Sequence, residues 1–313
     1  MKKDLISIAD FSKEEIFQLF LETKRLKSKE TKGEKPLLGK TLAIICQKPS
    51  TRTLVSFAAG MVQLGGTPLI LNPQDMQLKR GESLPDTAKI LSFYVDGIMI
   101  RANKHEDVEK LGKNSTVPVI SGLTDKEHPC QVLCDLFTIY EQKKLSSFEE
   151  LKNIKITYVG DGNNIAHSLI LAATTLGMHL IVSSPKNYTV EKEYVSLGQE
   201  LAKKSGATLD LVTDPTQAIK NTDVVYTDVW ASMGKDEERE SRKQIFEAYQ
   251  INSELLKFAK STVSVMHCLP AHRGEEITEE VMDGPHSIIF QQAENRLHLQ
   301  KAVLTYLLTS VES

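Results

Sequence analysis

TLAIIC (41–46), QKPS (47–50), TRTLVSFAAGMVQL (51–64), GG (65–66) and TPLIL (67–71) adjoin one another directly, and this stretch decides the fold. A β-branched apolar run gives way to a hydroxyl-rich turn, an amphipathic segment of helical length, a Gly-Gly break and a second apolar run. Two strands joined through a helix run parallel, because the crossover returns the chain to the same end of the sheet. The spacing therefore predicts a βαβ unit, the building block of a parallel α/β sheet.

The same alternation continues on both sides. Upstream, Ser12 with Glu15 makes a capping-box pattern that opens a helix to about Lys27, and the charged, breaker-rich stretch 28–36 reads as a loop. Downstream, strands are expected at 97–101 and 117–121, and helices at 86–94, 105–112 and 129–142. The polar stretch 143–153 is the expected domain boundary. Beyond it strands are expected at 155–159, 179–183, 208–212, 224–227, 263–267 and 287–290. Helices fit at 165–176, 190–204, 215–221 and 253–259, with a final one at 295–308. The long, charged, poorly periodic stretch 231–249 reads as a mobile loop over a site. The expected class is α/β: two doubly wound parallel-sheet domains, 1–145 and 146–313, joined by helices, with the active site between them. The helix 295–308 is expected to pack back on the first domain.

Composition agrees with two soluble domains. A chain of 313 residues exceeds the size at which one core usually stops growing. Hydrophobic residues at 41% and charged residues at 25% are ordinary for a globular protein. The net charge is −3 and Lys and Arg are spread along the chain, which argues against a nucleic-acid partner. No apolar run approaches the ~20 residues that span a bilayer, so no membrane partner is expected. Lys2 and Lys3 are succeeded by Asp4 and Asp10, which leave too few apolar residues between them for a signal peptide. Cys46, Cys130, Cys134 and Cys268 are accordingly expected to be reduced thiols in a cytoplasmic protein.

The turn inside the opening stretch, Lys48-Pro49-Ser50-Thr51-Arg52-Thr53, sits where a strand gives way to a helix. Helix N-termini carry unpaired N–H groups and the positive end of the dipole, and three hydroxyls and a guanidinium add anion donors here. Alone, Ser50 reads as an ordinary N-cap and Arg52 as a surface charge. Two further βα junctions change that reading. Arg101 ends one expected strand, and His128-Pro129-Cys130-Gln131 opens a helix after the next. Open α/β sheets bind ligands at the carboxyl ends of their strands. Together the three junctions describe a pocket for a phosphate beside a polarisable carbonyl.

The strings Lys-Pro-Ser-Thr-Arg-Thr and His-Pro-x-Gln, at this separation and flanking a strand-ending Arg, resemble the aspartate and ornithine carbamoyltransferases over essentially the whole chain. The resemblance implies that Ser50, Thr51, Arg52 and Thr53 hold the phosphate of carbamoyl phosphate. It places Arg101, His128 and Thr53 at the carbonyl oxygen, Gln131 at the carbamoyl amide, and Arg296 reaching back to the same substrate. Gln77 matches a residue that the family borrows from a neighbouring subunit, which implies a homotrimer, or a multiple of trimers, with shared sites.

The second half decides between the amines. Aspartate brings two carboxylates and needs a cationic pocket; ornithine brings two amines and one carboxylate. Gly160-Asp161-Gly162-Asn163-Asn164, Asp228-Val229-Trp230-Ala231-Ser232-Met233-Gly234 and His267-Cys268-Leu269-Pro270 all come after expected strands and contain no Arg. They are similar to the ornithine branch. That likeness implies Asn164 and the Met233 N–H at the α-carboxylate and Asp228 and Ser232 at the α-ammonium. Cys268 and Leu269 would lie beside the reacting amine and the carbamoyl group, with Arg101, His128 and Cys268 as the catalytic set. The implied reaction carries the carbamoyl group to the δ-amine of ornithine, giving citrulline and phosphate. A related amine such as putrescine, or an anion-binding homologue without turnover, are the alternatives.

Three features stand apart. Gly160-Asp161-Gly162 starts like a dinucleotide fingerprint, but Ile165 stands where the third Gly is expected. His128, Cys130 and Cys134 are close in sequence but lack a second ligand pair, so neither a metal nor a cofactor is expected. Leu54 and Ala58 replace an Arg and a Glu usual in the family; four apart on a helix, they read as a charged pair exchanged as a unit for apolar side chains.

Overall fold

The computed structural model describes residues 3–28, 31, 33–231 and 238–309. Backbone contacts divide the chain into unit 1, Met1–Cys134 with Glu294–Ser313, and unit 2, Asp135–Ala293.

Unit 1 opens with α1 (Lys13–Lys27), and the Ser12–Glu15 capping box is present with both of its reciprocal hydrogen bonds. Next come β1 (Thr41–Cys46), α2 (Thr51–Gln63), β2 (Thr67–Leu71), α3 (Leu84–Tyr94), β3 (Gly97–Arg101), α4 (His105–Asn114) and β4 (Val119–Leu123). The strands form one parallel sheet in the order β2-β1-β3-β4. Central β1 and β3 are apolar along their length because helices cover both faces. The edge strand β2 is exposed or half-buried along its length and holds Pro68, which is tolerated there because an edge strand has a free side. Chain order reverses between β1 and β3, so the carboxyl ends of these two strands flank a switch point.

The helix α5 (Pro129–Gln142) begins in unit 1, and the break in backbone contacts falls inside it at Cys134/Asp135. Unit 2 then runs β5 (Lys155–Val159), α6 (Asn164–Thr175), β6 (His179–Ser183), α7 (Lys192–Ser205), β7 (Thr208–Val212), α8 (Pro215–Ala218), β8 (Val224–Thr227), α9 (Arg239–Phe246), α10 (Ser253–Leu256), β9 (Ser264–His267), α11 (Glu279–Met282) and α12 (Ile289–Thr309). Its parallel sheet has the order β7-β6-β5-β8-β9, with the switch point between β5 and β8. Helix α6 is buried all round, from Ile165 to Thr174, as a helix without a polar face must be.

Two expectations are corrected. The run at 287–290 is not a strand: Ser287 makes a single bridge to Val265, and α12 already begins at Ile289. A short apolar run has no period that separates a buried strand from the first turn of a buried helix. The stretch 231–249 is not wholly loop, since Arg239–Phe246 is the helix α9. Its buried positions are Arg242 and Phe246, and a buried arginine does not register as hydrophobic periodicity.

Candidate active site

The cationic cluster of unit 1 is assembled at the switch point. Ser50 is the N-cap of α2 and its Oγ accepts from Thr53 N at 3.2 Å. Register pairs Cys46 of β1 with Arg101 of β3, and Gln47 N donates to the Arg101 carbonyl, which fixes the end of β3 beside the α2 turn. Arg101 is buried. His128 is set by the turn after β4, where buried Glu127 accepts from Ser7 Oγ at 2.6 Å and Ile8 N at 3.0 Å. The His128 carbonyl accepts from Gln131 N and Val132 N, so α5 starts at Pro129 with its missing N–H at a position that needs none.

Arg296, on α12, completes the cluster. Its guanidinium donates to Gln131 Oε1 and to Thr53 Oγ1, the latter at 3.1 Å. Arg296, Thr53 and Gln131 are each at most 2% exposed, so this is a closed polar network. Gln77 is exposed at the start of a single 3-10 turn, Gln77–Arg80. Leu54 and Ala58 are half-buried on the same helix.

The charge of the cluster shows in His128. Burial first, then the positive charges of Arg296, Arg101 and Arg52, push its imidazole well below 6.5. The ring is therefore neutral at pH 7 and can donate only one proton. The unfolded chain takes up a proton near pH 6.5 that the folded chain refuses. Stability from this group is full above that pH and is lost as pH falls toward the folded value, by up to about 1.4 kcal/mol per pH unit. His128→Gln is expected to flatten the fall of Tm between pH 7.5 and pH 5.5. Equal slopes for the two proteins in a calorimetric pH series would refute the assignment.

In unit 2 the carboxyl ends of β5, β8 and β9 carry the second cluster. After β5 the chain turns so closely that a Cβ on Gly162 would lie 2.2 Å from Val190 N; only glycine fits. Asn163 caps α6, its Oδ1 accepting from Ile165 N and Ala166 N, and its Nδ2 donates to Asp228 Oδ2 at 2.7 Å. Asn164 occupies the first position of α6. Asp228 is buried at the end of β8, and its Oδ1 also accepts from Val229 N at 2.8 Å and from the Cys268 thiol at 2.9 Å. Ser232 and Met233 lie outside the described residues.

The turn after β9 is held by its own histidine. His267 Nδ1 accepts from Leu269 N at 2.8 Å, and its Nε2 pairs with buried Glu276 at 3.0 Å. Leu269 has a φ of 58°, and the Leu269–Pro270 peptide is cis. Among the described residues, Arg242 is the buried arginine at the same end of unit 2. Arg242 donates to Asp161 Oδ2 at 3.0 Å and to the Trp230 carbonyl at 2.7 Å, and it stacks on Tyr188. Asn163, Arg242, His267 and Glu276 are site residues that the sequence motifs do not single out. The cap of Asn163 follows from its place before α6, and the His267–Glu276 pair closes a short turn, whereas Arg242 meets Asp161 from 81 residues away.

Among the described residues, the groups whose atoms lie close enough to share an ion are Asp228 with His267 and Cys268, and His272 with Glu275 and Glu276. Burial pushes the Cys130 thiol up to about 12, so it is a packed thiol that donates to the Ser121 carbonyl.

The chain is similar to known proteins over nearly its whole length. A profile described as aspartate/ornithine carbamoyltransferase, carbamoyl-P binding domain, matches residues 3–141. A second, described as aspartate/ornithine carbamoyltransferase, Asp/Orn binding domain, matches residues 152–307. The ornithine carbamoyltransferase of Anoxybacillus flavithermus is 54% identical over 308 residues, 98% of this chain and 96% of that protein. The chain belongs to the aspartate/ornithine carbamoyltransferase family. Within the family, the anabolic ornithine carbamoyltransferase of Pyrococcus furiosus is 49% identical over 312 residues, 99% of this chain and 98% of that one. A solved structure of ornithine carbamoyltransferase from Pyrococcus furiosus superposes with a TM-score of 0.95, covering 99% of this chain and 98% of that one. Of the unit 1 cluster, the Ser50–Thr53 turn, Arg101, His128 and Gln131 fall in the range matched by the carbamoyl-P binding profile, as does the separate Gln77, while Arg296 falls in the other. The hydrogen bonds of Arg296 nevertheless go to Thr53 and Gln131.

Proposed function

We propose that the protein is an ornithine carbamoyltransferase, joining the carbamoyl group of carbamoyl phosphate to the δ-amine of ornithine to give citrulline and phosphate. The observation that carries this reading is the contrast in charge between the two clusters. Unit 1 gathers Arg52, Arg101 and Arg296 around a neutral histidine, an anion site. Unit 2 presents the Asp228 carboxylate, and its buried arginine, Arg242, is already engaged by Asp161 and the Trp230 carbonyl. An acceptor that is itself cationic fits the second cluster, and a dicarboxylate does not.

In this mechanism Ser50, Thr51, Arg52 and Thr53 take the phosphate at the N-terminus of α2. Gln131 and Arg296 orient the carbamoyl group. The δ-amine of ornithine must lose its proton before attack, and desolvation favours the neutral form. Asn164, Asp228, Ser232 and Met233 hold the α-groups, so the side-chain amine projects toward Cys268 and Leu269. Attack builds an oxyanion on the carbonyl carbon, which Arg101 and His128 stabilise by donating to it. The C–O bond to phosphate then breaks, and the leaving phosphate accepts the amine proton. The direct test supplies carbamoyl phosphate with ornithine, putrescine or aspartate and monitors product and phosphate. Citrulline from ornithine alone is expected. Turnover of putrescine would reassign the second cluster, and silence with all three would leave an anion-binding homologue.

The working unit in this reading is a homotrimer in which Gln77 serves a neighbour's site. Unit 1 supports association by exposing Val55 and Val62 on α2, Leu69 and Ile70 on β2, and Phe93 and Tyr94 on α3. Gln77→Ala and Arg101→Met proteins are each expected to be nearly inactive. Hybrids refolded from an equal mixture are expected to regain about a quarter of wild-type activity, since random assembly in a cyclic trimer makes that share of sites intact. A mixture no more active than its components would refute the shared site.

A further inference from the structure

We propose that Asn163 is a positioning residue, setting the Asp228 carboxylate for the α-ammonium of the amino-acid substrate; this rests on the ornithine reading above. Asn163 works in two directions at once. Its Oδ1 accepts from Ile165 N at 3.0 Å, from Ala166 N at 3.3 Å and from the Tyr158 hydroxyl at 3.3 Å. Those donors fix which face of the amide points at the helix, so the NH₂ group is committed to Asp228, 2.7 Å away. The cap of α6 thereby orients a side chain on β8.

Capping alone does not require Asn. Ser and Asp serve equally well at an N-cap. Asp in this place would bring a second carboxylate against Asp228, and a Ser hydroxyl is too short to cap the helix and also reach across. Only an amide supplies an acceptor to the helix and a donor to the carboxylate together. The arrangement also defines what remains of Asp228. A carboxylate offers roughly four lone-pair sites. Asn163 Nδ2, Val229 N and Cys268 Sγ take three, each from a different direction. The remaining acceptor direction is thus set by the turn after β5, by the backbone after β8 and by the turn after β9. An ammonium is the partner this direction suits, because its charge is opposite and it donates.

The test uses the intact enzyme with Asn163→Ser and Asn163→Asp. Both keep a capping oxygen, so Tm is expected to stay near wild type. Ornithine KM is expected to rise on the order of tenfold to a hundredfold in Asn163→Ser, the range of a lost hydrogen bond to a charged group. Asn163→Asp is expected to be worse, and carbamoyl phosphate KM is expected to be unchanged in both. Binding of L-norvaline, which has the α-groups of ornithine and no side-chain amine, should weaken in parallel when measured calorimetrically with carbamoyl phosphate present. Unchanged ornithine KM and norvaline affinity in folded variants would overturn the proposal, as would a loss confined to Tm. A wild-type enzyme that neither forms citrulline nor binds norvaline would instead overturn the ornithine reading, and that result is read before any variant is made.

Discussion

Arg101→Met is expected to lower kcat by about 10²–10³-fold or more, the range seen when a preorganised oxyanion donor is removed. The side chain is buried at the end of β3, and the backbone that carries it is pinned by the β1–β3 register and by the bond from Gln47 N. Met keeps most of the stem and removes the charge, so the sheet should be undisturbed. The neighbouring His128 cannot take over, because a neutral imidazole brings one proton and no net charge to the developing oxyanion. Carbamoyl phosphate should still bind through the α2 turn, so the loss should fall mainly on kcat at saturation. A change smaller than tenfold in steady-state kcat would remove Arg101 from the reaction centre.

Asp228→Asn is expected to cut kcat/KM for ornithine by about 10³-fold, equivalent to roughly 4 kcal/mol, the scale of a buried charge pair deprived of one partner. The substitution leaves volume and shape almost unchanged but reverses half of the hydrogen bonding. An amide NH₂ must now face one of three donors that already point at this side chain, Asn163 Nδ2, Val229 N or the Cys268 thiol. The effect should be selective: norvaline binding lost with ornithine, carbamoyl phosphate KM little changed. A variant that keeps its ornithine KM would mean that the α-ammonium is held elsewhere.

Most of the fold is legible in the sequence because parallel strands with covered faces are unmistakable apolar runs. The runs at 41–46, 67–71, 97–101 and 155–159 coincide with β1, β2, β3 and β5. Burial of polar side chains is harder to read. Arg242 sits in a charged stretch that reads as loop, yet its guanidinium is buried among Asp161, the Trp230 carbonyl and Tyr188, which are far away along the chain. The site divides in the same way. Ser50, Arg101, His128, Asp228 and Cys268 stand at or just past the carboxyl ends of strands, so their positions alone single them out. The pairing of one side chain with another, Asn163 with Asp228 or Glu276 with His267, carries no local mark in the sequence.

Arg296 stands 165 residues beyond Gln131, the side chain it binds. Every other member of the unit 1 cluster is made early in synthesis, yet the pocket has to wait for α12. A nascent chain that already holds the whole β2-β1-β3-β4 sheet still lacks one guanidinium, and its Thr53 and Gln131 still lack the donor that closes them in. Closure of so long a loop comes late in folding. The polar network of Thr53, Gln131 and Arg296 is thus complete only once α12 has taken its place in unit 1.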